Sequence, residues 1–283
     1  KTVLRGAEHV ERGSTLIENL VGVAERGAVE SNARWALKQG VFDEKQLDRA
    51  LDTLRQYDRN VGDPVKGVRG EYAMALDTTQ YLFSPPDANG QPVINPDRVE
   101  RMQEIIGDES ETTREEIEKM DPEDARATIE AFNNYYPELA EQMRIGYPEV
   151  RASDLEALAD QYIATSPITK ILLPSMSRAH VLRARAEASR RATQLAYAVH
   201  VQHARTGKWP RSLDELPSEV SDHIRTDPFT GRYFGYTVGN EGPTIYSASE
   251  NGIDDGGVHS PRWNDGVTDP EASDDYVFWP PQK

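Results

Sequence analysis

The chain has 283 residues, 37% of them hydrophobic, which is enough for one large or two ordinary domains with an adequate core. Its 32 basic and 48 acidic side chains give a formal charge of −16, which disfavours nucleic acid or an anionic membrane as the main partner, because both repel negative charge. The absence of cysteine excludes disulfides, thiol nucleophiles and thiolate zinc sites.

The sequence contains no run of about 18 apolar residues of the kind that spans a membrane. It starts at Lys1 without an initiator methionine, so we expect a processed or trimmed chain. Whether a signal segment or membrane anchor precedes Lys1 stays open.

The first third of the chain has the periodicity of amphipathic helices. One helix is expected over residues 15–39, ended by Gly40, and Asp43 can cap a second helix that pairs with it antiparallel. A third helix is expected over 69–83, halted by prolines. The apolar stripe of the first helix should comprise Leu16, Ile17, Leu20, Val21, Ala24 and Ala28.

Acidic residues crowd the segment 96–149, where Asp121 and Pro122 together predict a helix start. Charge runs are usually solvated, so a charged surface is favoured here over a metal or catalytic cluster.

Further helices are expected from Ser153 to 164 and from Ser166 to about 206, the second bent near Pro174. The long helix carries a row of arginines that could bind phosphate or acidic lipid, although pairing with the acidic helices is simpler in a chain of this charge. The row comprises Arg178, Arg183, Arg185, Arg190 and Arg191.

His200 and His203 are spaced to share one face of the long helix. No third metal ligand stands nearby in the sequence, so a structural or surface role is favoured over a transition-metal site.

Strand patterns begin only after residue 207. Three short strands, "RYFGYTV", "PTIYSA" and "YVFWP", predict a small antiparallel sheet laid on the long helix. The first two should form a hairpin through residues 239–242.

The segment 251–275 between the last two strands carries seven acids and one arginine. Its carboxylates, with flanking Gly252, Gly256 and Gly257, are what calcium requires, because calcium takes six to eight oxygen ligands and glycine permits tight turns. The spacing is not that of an EF-hand. A solvated loop without an ion is the alternative.

Residues 166–283 resemble the globular part of the major pseudopilin of type II secretion systems. The resemblance is carried by "TGKWPRSLDEL", by Asp227-Pro228-Phe229 with Gly231, and by Ile245-Tyr246-Ser247 leading into Asn251-Gly252. The whole chain looks like bacterial envelope proteins that join a helical region to a pseudopilin-like C-terminal domain.

This resemblance implies a helix packed on a small sheet, with calcium bound by the loop before the last strand. The positions that match the ligands are Asn251, Asp254, Asp255, Asp274 and Asp275. It also implies a bacterial cell-envelope or secreted location.

The sequence lacks the serine-hydrolase, zinc-protease, phosphate-loop and dinucleotide motifs. The remaining enzymatic hypothesis is a hydrolase, possibly carbohydrate-active, in which Asp254 or Asp255 faces Asp274 or Asp275. Trp263 and Trp279 could then stack sugar rings. A third hypothesis makes the N-terminal helices a protein-binding module, which an exposed apolar patch there would favour.

We therefore predict an α+β, mostly α protein, with a helical domain over 1–165 and a long helix plus small antiparallel sheet over 166–283. Its predicted function is that of a non-catalytic, extracytoplasmic binding or assembly protein with a calcium-stabilised C-terminal domain and a protein partner. Its oligomeric state stays open.

Overall fold

The computed structural model describes residues 2–58, 63–107, 110–173, 176–260 and 275–282. The fold is mostly helical with a small antiparallel sheet, which confirms the predicted fold class. The helices are α1 (Thr2–Glu11), α2 (Leu16–Lys38), α3 (Glu44–Asp58), α4 (Pro64–Leu82), α5 (Pro96–Ile106), α6 (Glu111–Glu118), α7 (Pro122–Gln142), α8 (Ala152–Ile163), α9 (Pro167–Leu172), α10 (Met176–Thr206) and α11 (Asp222–Arg225).

Several helices begin at side-chain caps, and those at Asp43 and Asp121 were predicted. Thr15 and Glu18 form a capping box at α2, because each side chain accepts a hydrogen bond from the other residue's backbone amide. Asp121 forms the equivalent box at α7, with Pro122 in the first turn. Asp43 accepts a bond from the Gln46 amide at 2.8 Å, as expected for the start of α3.

Other boundaries differ from the expectation. The helix predicted over 69–83 begins earlier, at Pro64, where the Asp63 side chain accepts a bond from the Val65 amide. The single helix predicted from Ser166 to 206 is two helices, α9 and α10, and the intervening residues 174–175 lie outside the described ranges. Helix α1 was not predicted.

The sheet has three strands, β1 (Gly235–Gly239), β2 (Gly242–Ser247) and β3 (Tyr276–Trp279), in the order β1-β2-β3. Both pairs are antiparallel, as predicted, and Gly239 faces Gly242 across the hairpin.

Helix α10 connects the two parts of the chain. Its Ala188, Ala192, Leu195 and Val199 are fully buried in a cluster that also contains Phe278 of β3. Helices α2 and α3 contribute to the same cluster, through Leu37, Leu47 and Leu51. A second cluster fills the helical part, around Phe132, Tyr135, Leu139, Leu155 and Ile168. Whether 1–165 and 166–283 fold as separate domains stays a prediction.

The predicted apolar stripe of α2 is only partly buried: Leu16 and Leu20 pack in the helical core, but charged side chains also occupy the buried face. Ile17 is 71% exposed and Val21 47% exposed, whereas Arg26, Glu30 and Arg34 are buried. Arg26 is satisfied by an ion pair of 2.7 Å to Glu11 of α1. Arg34 donates to the hydroxyl groups of Ser189 and Thr193 in α10, so hydrogen bonds as well as an ion pair stabilise the arginines buried on this face.

None of the helices in the described ranges is both long and apolar enough to cross a bilayer.

Candidate functional site

The candidate site lies in the loop that leaves β2 and returns to β3. Antiparallel pairing of these strands brings Asp275, at the entrance to β3, back beside the residues that follow β2. Asp254, Asp255 and Asp275 are thereby gathered, as predicted, whereas Asp274 lies outside the described residues.

Glycines set the path of this loop. Gly252, Gly256 and Gly257 have φ angles of 69°, 72° and 78°, which L side chains rarely adopt. At Gly257 a Cβ would also lie 2.9 Å from the ring of Tyr246. The loop therefore requires glycine there both for its turn and for close approach to β2.

Two of the predicted ligands hold the loop's own turns. The Asn251 Oδ1 atom accepts a bond from the Ile253 amide at 2.7 Å. The Asp254 Oδ1 atom accepts bonds of 2.9 Å from the Tyr246 hydroxyl and from the Gly256 amide. One oxygen of each side chain is thus already engaged.

Asp275, which directly precedes β3, is fully buried. Its Oδ2 atom accepts bonds from the Asp255 amide at 3.0 Å and the Gly257 amide at 2.8 Å. Its backbone carbonyl accepts a further bond of 2.8 Å from Ser260. Asp275 therefore ties the start of β3 to the part of the loop that follows β2.

Two buried carboxylate oxygens, Oδ1 of Asp275 and Oδ2 of Asp255, have no hydrogen-bond partner in the described part of the chain. Burial raises the pKa of Asp275 to about 6, and repulsion by the Asp255 and Asp254 carboxylates adds to this rise, although the Gly257 amide opposes it. The arrangement thus concentrates negative charge where water is excluded, and a cation would relieve the repulsion.

Across the described residues, no three or more His, Asp or Glu side chains already form a metal-binding group. This leaves the loop's own oxygens, including its backbone carbonyls, as the donors that a cation could recruit. Hard cations such as calcium accept such mixed oxygen donors, and water completes the set.

Sequence reasoning missed the contacts that anchor the loop. Glu250 forms an ion pair with Arg185 of α10, and its carbonyl accepts a bond of 2.8 Å from Arg151. Arg232 donates to the Gly252 carbonyl at 3.1 Å. These partners are remote in sequence, so only the presence of Arg185 in the arginine row hinted at them.

The two helical histidines have structural surroundings. His203 stacks on Trp209 at 3.8 Å between ring centroids, and His200 meets the same indole edge-on at 5.0 Å. The Nδ1 atom of His200 also hydrogen-bonds the Ala196 carbonyl at 2.7 Å. These contacts favour the structural role expected for the pair.

Comparison with known proteins finds no matching family model, no matching curated protein and no matching solved structure. The pseudopilin resemblance therefore stays a prediction based on the residues that carry it.

Proposed function

We propose that this protein is a non-catalytic binding or assembly protein of the bacterial cell envelope, or a secreted one, whose pseudopilin-like C-terminal part is stabilised by calcium. The observation that supports this proposal is the buried Asp275 carboxylate, which has one unpartnered oxygen and two neighbouring carboxylates. We place the ion among Asp254, Asp255, Asp275 and the predicted ligands Asn251 and Asp274.

Calcium suits this loop better than a transition metal. The available donors are carboxylate and carbonyl oxygens, and the described loop residues offer one imidazole, that of His259. His259 is already engaged, because its Nδ1 atom accepts a bond from the Val277 amide at 3.2 Å. A large cation that accepts irregular oxygen coordination therefore fits best.

The proposed partner is a protein. Val3 of α1 and Ile17 and Val21 of α2 are exposed apolar side chains on the first two helices. Ile17 and Val21 stand four residues apart and so share one face of α2, and exposed apolar faces are typical of protein-binding regions, which supports this part of the proposal.

A carboxylate-pair hydrolase is the second candidate. The pKa of Asp275, raised to about 6, is of the kind found in a general acid, which favours this reading. The two functions differ in what removal of the carboxylate does: a structural calcium site loses ion-dependent stability, whereas a general acid loses only turnover.

The test is thermal unfolding in EDTA, followed by addition of calcium, magnesium or zinc. Calcium at 100 times its dissociation constant should stabilise the wild-type protein by about 2.7 kcal/mol. Asp275→Asn should lose this increment, while Asp214→Asn, at an exposed position outside the loop, should keep it.

A calcium shift of equal size in Asp275→Asn would contradict the proposed site, as would the absence of any shift in the wild-type protein. The affinity should also fall as the pH is lowered through about 6, because the ion competes with the proton on Asp275.

A further inference from the structure

A cavity of about 290 Å³ lies beside the first half of α10. It is enclosed by α10 on one side, by the turn 143–148 that follows α7, and by the turn 226–231 before the sheet. Contacts hold both turns in place. Arg191 of α10 donates to the Thr226 carbonyl at 2.7 Å, and the rings of Tyr147 and Phe229 pack edge-on with 4.8 Å between their centroids. The cavity is therefore part of the folded framework.

The arginines along this part of α10 differ in how they are paired. Arg185 pairs with Glu250, Arg190 with Asp58, and Arg191 with Glu187. The half-buried Arg183 differs from them. No carboxylate oxygen of the described residues lies within 4.0 Å of its guanidinium nitrogens, which is the limit for an ion pair.

Among the described residues Arg183 makes one hydrogen bond, a weak one of 3.4 Å to the Met143 carbonyl. Glu187, the nearest acid along the helix, is already shared by Arg190 and Arg191. Glu187, Asp63 and Glu11 act on Arg183 electrostatically, but none of them lies within ion-pair distance of its guanidinium group.

The other titratable groups of the lining have contacts of their own. Arg144 also borders the cavity and pairs with Glu141. His180 is buried and stacks on Tyr147 at 5.5 Å, and burial lowers its pKa, so the ring is neutral at pH 7. Asp227 accepts hydrogen bonds from the Phe229 amide and the Ser247 hydroxyl, and its charge also interacts with that of Arg191.

Arg183 also borders a neighbouring cavity of about 310 Å³ on its other side. That cavity is lined by Glu11, Asp58 and Asp63, so it repels anions. An anion that approaches Arg183 is therefore directed to the cavity beside the turn 143–148.

We propose that this cavity binds a small oxyanion, a carboxylate or phosphate group, with Arg183 as its principal ligand and Arg191 beside it. A guanidinium is suited to this role because its planar fork donates two parallel hydrogen bonds to such a group. The volume is sufficient for a small molecule or for the head group of a larger one.

The experiment is thermal unfolding in metal-depleted buffer without chelator, with inorganic phosphate, succinate or citrate added and sodium chloride at matched ionic strength as reference. Phosphate or a carboxylate at ten times its dissociation constant should raise the midpoint by about 3 °C above the chloride reference. Preference for phosphate, or for succinate or citrate, identifies the class of head group.

Arg183→Gln should abolish this increment, whereas Arg178→Gln, at an exposed position of the same helix, should retain it. Equal increments in the two variants would overturn the proposal, as would wild-type midpoints that follow ionic strength alone.

A measurement on the wild-type protein covers the case in which Arg183→Gln does not fold. Phenylglyoxal modifies accessible arginines, and modified positions are mapped by mass spectrometry. The preferred anion should slow modification of Arg183 at least several-fold while leaving Arg178 unchanged. Equal rates at Arg183 with and without the anion would overturn the proposal.

Discussion

Glu30 is a carboxyl group enclosed between α2 and α10, and its Oε2 atom has no partner in the described part of the chain. Burial raises its pKa from 4.5 to about 7, although Arg190 and Arg34 oppose the rise. The unfolded chain therefore releases this proton at lower pH than the folded protein. Ionisation of Glu30 therefore destabilises the folded protein, and the free energy of unfolding falls progressively as the pH rises from 4.5 to 7.

Glu30→Gln should remove this loss, because glutamine resembles the protonated carboxyl group at every pH. Relative to the wild-type protein, the variant should gain up to about 3 kcal/mol of unfolding free energy between pH 5 and pH 8, measured by urea denaturation. Glu25→Gln, at an exposed position of the same helix, is the control and should show no such gain. A pH-independent difference for Glu30→Gln would refute the assignment.

Contacts within the candidate site were predictable only where they follow from the pairing of neighbouring strands. Antiparallel strands β2 and β3 bring their ends together, so the meeting of Asp255 with Asp275 follows from the strand pattern. The anchoring of Glu250 by Arg185 and Arg151 does not, because those partners stand 65 and 99 residues away. Side-chain pairing over such separations depends on how the elements pack.

At the scale of elements, α1 and α2 approach so closely that glycine is required between them. A Cβ at Gly22 would lie 2.4 Å from the Glu11 amide nitrogen and 2.7 Å from the Ala7 carbonyl oxygen. Nothing lies within 4 Å of the corresponding position at Gly27 of the same helix. Close packing on α1 therefore requires glycine at position 22 of α2 but not at position 27.

Gly22→Ala should destabilise the protein by about 1–3 kcal/mol, because backbone atoms of α1 would have to move. Gly27→Ala should instead stabilise it by about 0.5–1 kcal/mol through helix propensity. Chemical denaturation of both variants measures the difference. Similar effects of the two substitutions would show that α1 does not pack on α2 as described.

Helix starts were more predictable than helix faces. Capping at Thr15 and Asp121 involves neighbours within three residues, so the sequence contains the whole signal. The face of α2 that contains Ile17 and Val21 was predicted to be buried because these residues are apolar, but both are exposed. Arg26 is buried instead, because Glu11 of another helix forms an ion pair with it. Hydrophobic periodicity fails where a buried face is held by ion pairs.

At the scale of the whole molecule, α10 lies in a core shared with the N-terminal helices. Arg34 of α2 donates to the Ser189 hydroxyl of α10 at 3.0 Å and lies 5.4 Å from the ring centre of Phe278 in β3. Tyr197 of α10 donates to the Ala33 carbonyl at 2.9 Å. These contacts couple α2 to both parts of the C-terminal segment.

The predicted antiparallel packing of α2 against α3 is wrong, because α3 packs mainly on α10 while α2 packs on α1 and α10. We expect the coupling through α10 to make thermal unfolding of α2 and α3 coincide with that of the C-terminal sheet. Far-ultraviolet circular dichroism reports mainly the helices, and fluorescence reports tryptophans that include Trp209 and Trp279 near the sheet. The two transitions should superimpose. Clearly separated midpoints would instead support independent domains over 1–165 and 166–283.

The proposed calcium site is tested most directly by isothermal titration of calcium into metal-depleted protein at pH 7.5. We expect saturation at about one ion per chain for the wild-type protein and for Asp214→Asn, and no heat of binding for Asp275→Asn. A flat titration of the wild-type protein, or an undiminished one for Asp275→Asn, would contradict a calcium site centred on the buried Asp275 carboxylate.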